Sequence, residues 1–247
     1  MDVVDLREFY ASPLGQASRR LIARRIRSRW ESASGATVLG LGYATPYLDQ
    51  FRQEARAIVG FMPGEQGVVH WPADGGSATA LVDEVELPVI DSSIDFVLVA
   101  HGLELTDHPN DMLKEIWRVL APQGRALLVV PNRRGVWARF DSTPFGHGRP
   151  FSEMQLTQML REAKFSPLGW SHALFVPPLQ SGFLVRSAPA WERVGMWLSR
   201  GFSGVILVEA MKQVYAISSG KKVKRLVPSL QPALGVRPIL QPRQGSF

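Results

Sequence analysis

The chain has 247 residues, no cysteine and a formal net charge of +6, with a hydrophobic share of 45 %. That length holds one full α/β domain with some extra, or two small domains. The lack of cysteine excludes disulfides and thiolate metal sites. No apolar run nears the ~18 residues of a membrane span, and "MDVVDLREFY" is no basic-then-apolar leader, so a soluble, cytoplasmic protein is expected.

The charge is unevenly placed. Residues 1–30 carry +4, residues 210–247 hold seven basic residues and no acid, and residues 31–209 are left at −5. An acidic body with basic ends leaves two readings open: solvated surface, or contact of the termini with an anionic partner such as nucleic acid or a membrane surface.

In chain order, residues 14–30 place Leu21, Ile22, Ile26 and Trp30 on one helical face and Arg19, Arg20, Arg24 and Arg27 largely off it. "TVLGLG" (37–42) predicts a buried strand, with Thr45-Pro46 as N-cap and first position of a short helix through Arg56. "AIVGFM" is a second strand, closed by a Pro63-Gly64 turn. A short third strand is expected in 81–88 and an apolar fourth in 93–104. A helix over 109–122 turns Met112, Leu113, Ile116, Trp117 and Leu120 inward, Gly124 ends it, and "RALLVVPN" is the fifth strand.

Ser152 with Gln155 spells a capping box and Phe151 with Leu156 a hydrophobic staple, predicting a helix of residues 153–163. "FLVRS" or "ALFVP", a helix over 189–200, and a strand over 204–215 complete the sheet. Residues 218–247, basic and proline-spaced, predict a disordered tail. Strands alternating with helices imply a mostly parallel sheet with helices on both faces.

The block "LPVIDSSIDFVLVAHGLELTDHPNDMLKEIWRVLAPQGRALLVVPN" resembles strands four and five of class I S-adenosylmethionine-dependent methyltransferases. The points of likeness are Asp95-Phe96, Leu103-Glu104, and the run from Glu115 through Arg118 to Pro122 and Gly124. The resemblance covers roughly 37–217. It implies a Rossmann-like α/β fold with a seven-stranded, mostly parallel sheet, a helical extension over 1–36 and the basic tail after 217.

It further implies S-adenosylmethionine as cofactor, over the carboxyl ends of the strands. The first-strand loop falls on Gly40, Leu41, Gly42, Tyr43 and Ala44, where the family's glycines let backbone approach the methionine part. Gly42 matches; Ala44 and Pro46 replace glycines, and Gly40 stands where an acid is usual. Met62 takes the place of the carboxylate that holds the ribose hydroxyls, with Glu54 or Glu65 as stand-ins. Asp83 and Glu84 keep the adenine-side acid. Ala100 and His101, at the end of strand four, face cofactor and substrate.

A histidine there suits deprotonation of an acceptor hydroxyl or amine, so His101 is the catalytic candidate, against a purely structural strand-end histidine; Glu104 reads as structural. His147 and Arg149 in a substrate-side loop and Arg133 after strand five suit an anionic small molecule. Tyr10, beside Phe9, is placed over the site by family analogy. The expected function is O- or N-methylation of a small, anionic substrate. The alternative is a non-catalytic binding or regulatory protein with weakened cofactor binding.

Other chemistries lack their residues. There is no G-x-x-x-x-G-K-[ST], "GWSHA" fails as a nucleophile elbow, and the five histidines show no metal spacing. "AHGL" stands where base-amino methyltransferases carry an "N/D-P-P-Y/F" tetrapeptide.

Overall fold

Apolar runs bounded by glycine and proline become the strands of one sheet, seen in a computed structural model that describes residues 1–179, 187–188, 191–192 and 202–214. The strands are β1 (Thr37–Gly42), β2 (Ala57–Pro63), β3 (Thr79–Val82), β4 (Ile94–Ala100), β5 (Leu120–Pro131), β6 (Phe165–Ala173) and β7 (Val205–Lys212). The helices are α1 (Val3–Ala11), α2 (Pro13–Arg29), α3 (Thr45–Leu48), α4 (Pro109–Val119) and α5 (Glu153–Glu162). The sheet has seven strands in the order β3-β2-β1-β4-β5-β7-β6, parallel except that β7 runs antiparallel to both neighbours. The chain's direction across the sheet reverses between β1 and β4, and open α/β sheets hold ligands in the crevice such a reversal leaves beyond the carboxyl ends.

The two-residue period of the strands divides the core. Leu98 and Ala100 face α1, α2 and α3, together with Leu6, Tyr10, Ile22, Ile26 and Leu48. Val97 and Val99 face the other way, onto Met112, Leu113 and Ile116 of α4 and Leu156 and Leu160 of α5. Asp2 caps α1 by accepting from the Val4 and Asp5 amides, and Ser12 ends α1 while capping α2. The Ser152–Gln155 capping box is present.

Several expectations are corrected. Thr45 is not the N-cap of α3: Ala44 is, and no side chain caps it. α3 stops after one turn, continuing as a 3-10 turn at Asp49–Phe51, because Arg56 must bond the Ala36 carbonyl at 2.8 Å to start β2 beside β1. β3 lies earlier than 81–88, since Asp83 accepts from the Val85 amide and folds 83–86 into a turn. α4 ends at Val119, and Leu120–Gly124 already belongs to β5, where the register against β4 shifts between Ile94 and Phe96. Trp117 is half-buried, with the Lys212 ammonium 4.2 Å over its ring.

Among the described residues the sixth strand is Phe165–Ala173 rather than "ALFVP". Pro167 hid it, yet β6 is an edge strand whose register shifts at Pro167/Gly169, a place where a missing N–H is tolerated. The segment 183–186, most of the helix expected over 189–200 and the tail 218–247 lie outside the described residues.

Arginines of α2 are taken up within the fold. Arg19 pairs with Asp49 at 3.2 Å, Arg27 with Glu54, and Arg29 donates to Ser171 Oγ at 2.9 Å and to the Trp170 carbonyl. Among the described residues no helix is long and apolar enough to cross a membrane.

Glu115 and Arg118 form a loop clamp. Arg118 donates to the Leu87 and Val89 carbonyls, each at 2.9 Å, and pairs with Glu115 and Asp91. Glu115 in turn accepts from the Leu87 amide at 2.7 Å. One guanidinium thus holds the chain that leads from β3 into β4.

Candidate functional site

A cavity of about 480 Å³ opens beyond the carboxyl ends of the sheet. Pro63–Gln66 after β2, Val82–Glu84 at the end of β3, and His101, Gly102 and Leu105–His108 after β4 line it, with Met1 at its edge. Glu65, Asp83 and Asp107 are exposed carboxylates, and Glu84 accepts from Thr106 Oγ1 at 2.9 Å.

β1 lies between β2 and β4, yet no residue of the turn that follows it reaches this cavity. Tyrosines fill its place. Tyr10 projects from α1 and stacks on Tyr43, ring centroids 5.7 Å apart at 25°. It meets Tyr47 and His101 edge-on at 6.1 and 5.7 Å. Its hydroxyl lies 2.7 Å from the Tyr47 hydroxyl and 2.7 Å from His101 Nε2. Burial pushes the Tyr10 and Tyr47 hydroxyls above the usual phenol range, so both carry their protons.

His101 is 2 % exposed and takes φ +48, a left-handed backbone that few residues other than glycine adopt. Gln66 Nε2 holds it there by donating to the His101 carbonyl at 2.7 Å. Nδ1 faces Glu104 Oε1 at 3.5 Å, and Glu104 is itself buried with neither oxygen hydrogen-bonded within the protein. A carboxylate on that side favours the proton on Nδ1, which leaves Nε2 to accept from Tyr10 while Tyr10 accepts from Tyr47.

Among the sequence-derived candidates, His101, Asp83 and Glu84 come together at the cavity. Gly40, Leu41, Gly42, Tyr43, Ala44 and Ala100 are buried beside it and do not line it. Met62 is fully buried on the α1 face of the core; its place at the cavity goes to Glu65, three residues on. Glu54 is engaged by Arg27.

Tyr10 joins His101 from within the core. Arg133 is exposed away from the cavity, and His147 bonds the Asp141 carbonyl at 2.8 Å in a separate cleft beneath α1. Arg149 touches only the rim, pairing with Asp107 at 3.3 Å. Gln66, Thr106 and Tyr47 were missed. The Pro63-Gly64 turn was the signal for Gln66, since it puts the next residues at the sheet's carboxyl edge.

Residues 29–128 match the family model described as a methyltransferase domain. Over those residues the chain is similar to a methyltransferase domain, and its seven-stranded sheet has the Rossmann-like fold of methyltransferases. The fold is shared with a possible histamine N-methyltransferase from Thermotoga maritima, at 14 % identity and TM-score 0.59 over 85 % of this chain and 96 % of that one. It is shared with the cyclase SpnF at 22 % identity and TM-score 0.57, over 81 % and 83 % of the two chains. A Burkholderia thailandensis 1,6-didemethyltoxoflavin-N1-methyltransferase, solved with S-adenosylhomocysteine, matches at 17 % identity and TM-score 0.51 over 82 % and 79 %. No curated protein matches the sequence.

The cofactor such a methyltransferase domain implies has a nucleoside part and an amino-acid part. The residues present fit the first: the cavity is of ligand size, and three carboxylates stand ready to accept from vicinal hydroxyls. The second part meets Tyr10, packed on Tyr43 and Tyr47 beside the β1 turn. A Cβ on Gly40 would lie 2.7 Å from Leu48 Cδ1 and 2.9 Å from Ala44 Cβ. One on Gly42, at φ +76, would lie 2.5 Å from the Ala100 carbonyl oxygen. Gly42 is glycine because the end of β4 passes there.

Proposed function

We propose that this domain binds S-adenosylmethionine by its nucleoside part in the cavity between β2, β3 and β4, and that it methylates a small acceptor at oxygen or nitrogen. The observation that carries this reading is the convergence of Glu65, Asp83, Glu84 and His101 on one cavity at the carboxyl edge of the sheet. When bound, the cofactor supplies a methyl group on a sulfonium, open to in-line displacement.

The chain's own groups do the rest. Glu65 with Asp83 or Glu84 accepts from ribose hydroxyls. His101 Nε2, once Tyr10 releases it, takes the acceptor's proton. Glu104 behind Nδ1 steadies the imidazolium that results. Four acidic residues at the cavity favour a neutral or cationic acceptor, and lend no support to the anionic one expected from Arg133, His147 and Arg149.

A second reading, a nucleoside-binding domain without catalysis, is favoured by the packing of Tyr10 on Tyr43 and Tyr47 beside the β1 turn. Methyl release from S-adenosylmethionine, screened over phenol, catechol and amine acceptors, tests the first. The expected result is turnover that falls about a hundredfold in His101→Asn while adenosine binding is kept. Adenosine binding with no turnover for any acceptor supports the second.

A further inference from the structure

We infer that Tyr10 cancels what an amino-acid tail would add to binding in the cleft: with α1 docked, a nucleoside enters freely, while a tail gains its place only by displacing the Tyr10 ring. This rests on the nucleoside site proposed above and adds what bounds it. The cavity runs along the ends of β3 and β2 and resumes at β4, passing over β1, which stands between them in the sheet. What fills the gap is Tyr10, packed on Tyr43 and Tyr47 and joined at 2.7 Å to His101, itself a wall of the cavity.

The filling is not a loose side chain. Tyr10 is 8 % exposed and Leu6, one turn earlier on α1, is fully buried. Phe9 adds an edge contact to Phe145, ring centroids 6.1 Å apart. At its start the helix is tied to the cavity's own rim: the Val3 amide donates to the Gln66 carbonyl at 2.7 Å, while the Gln66 side chain holds His101. A ligand confined to the open part leaves α1 in place. A ligand whose tail reaches from the cavity over the β1 turn must displace the Tyr10 ring, packed there on Tyr43, and so must lift α1. Binding energy that the tail would otherwise contribute is spent on that displacement.

Calorimetric titration of the full chain with adenosine and with S-adenosylhomocysteine tests this. Wild-type protein is expected to bind the two within about threefold of each other, and Tyr10→Ala to bind S-adenosylhomocysteine at least about tenfold tighter with adenosine unchanged. Tyr10→Phe, which keeps the ring, should gain less than Tyr10→Ala. Hydrogen exchange on the wild type needs no variant: amides of Val3–Ala11 should exchange faster with S-adenosylhomocysteine and be unaffected by adenosine.

Wild-type preference for S-adenosylhomocysteine by about a hundredfold, or added protection of α1 when it binds, overturns the role of Tyr10 and leaves the nucleoside site standing. Failure of both ligands to bind wild type and Tyr10→Ala overturns the site and the role together.

Discussion

Tyr10 on α1 and His101 at the end of β4 stand 91 residues apart in the chain and 2.7 Å apart in the fold, hydroxyl to Nε2. The same hydroxyl lies 2.7 Å from that of Tyr47, so removing one oxygen leaves two buried polar groups without their partner. Tyr10→Phe should therefore lower stability by about 1–3 kcal/mol, read by urea unfolding. An unchanged unfolding midpoint would mean that the two groups find other partners.

The β1 turn cannot be repaired by restoring the family's residues one at a time. Gly40→Asp drives its Cβ against Leu48 and Ala44, and should cost about 1–3 kcal/mol on its own. Leu48→Ala in the same chain makes room, so the double variant should be less destabilised than the sum of the two single changes. Gly42→Ala meets backbone oxygen at positive φ, has no neighbour that can yield, and should cost more than Gly40→Ala. Thermal unfolding of the set checks the order.

In the proposed nucleoside site Glu65, not Met62, is the carboxylate to change, since it lines the cavity and Met62 does not. Glu65→Gln should weaken adenosine binding about tenfold with the unfolding midpoint kept, because an exposed carboxylate is lost and no packing is. Met62→Asp buries a carboxylate among Tyr47, Leu48 and Leu98 and should cost about 3 kcal/mol or more. If Met62→Asp stays folded and gains affinity, the assignment to Glu65 fails.

Arg118 should behave as a structural clamp. Arg118→Lys offers one ammonium where a fork now reaches the Leu87 and Val89 carbonyls and two carboxylates. A loss of about 1–2 kcal/mol is expected, with faster hydrogen exchange in residues 83–92 and no change in His101.

The sheet was legible because Val38, Leu98, Val99 and Leu128 sit in short apolar runs between turn residues, and because Ser152 and Gln155 spell a cap. β6 was not, since Pro167 and Gly169 erase the alternation that its pairing with β7 restores. The positions of His101, Asp83 and Glu84 along the cavity wall were legible from their places at strand ends. Met62 was expected at the cavity because its register was carried over from a family pattern, whereas here β2 runs on to Pro63 and the Pro63-Gly64 turn puts Glu65 at the cavity wall. The tyrosine packing was beyond local reading: Tyr10 meets Tyr43, Tyr47 and His101 only through the docking of α1.

In the proposed site, ligand recognition rests on the ends of β2, β3 and β4 and not on the β1 turn. Amide chemical-shift mapping of labelled protein titrated with adenosine tests it most directly. The account predicts shifts at Glu65, Gln66, Asp83, Glu84 and Thr106, with Leu41–Ala44 and α1 unmoved. Shifts centred on Leu41–Ala44, or none at Glu65 and Asp83, would contradict it.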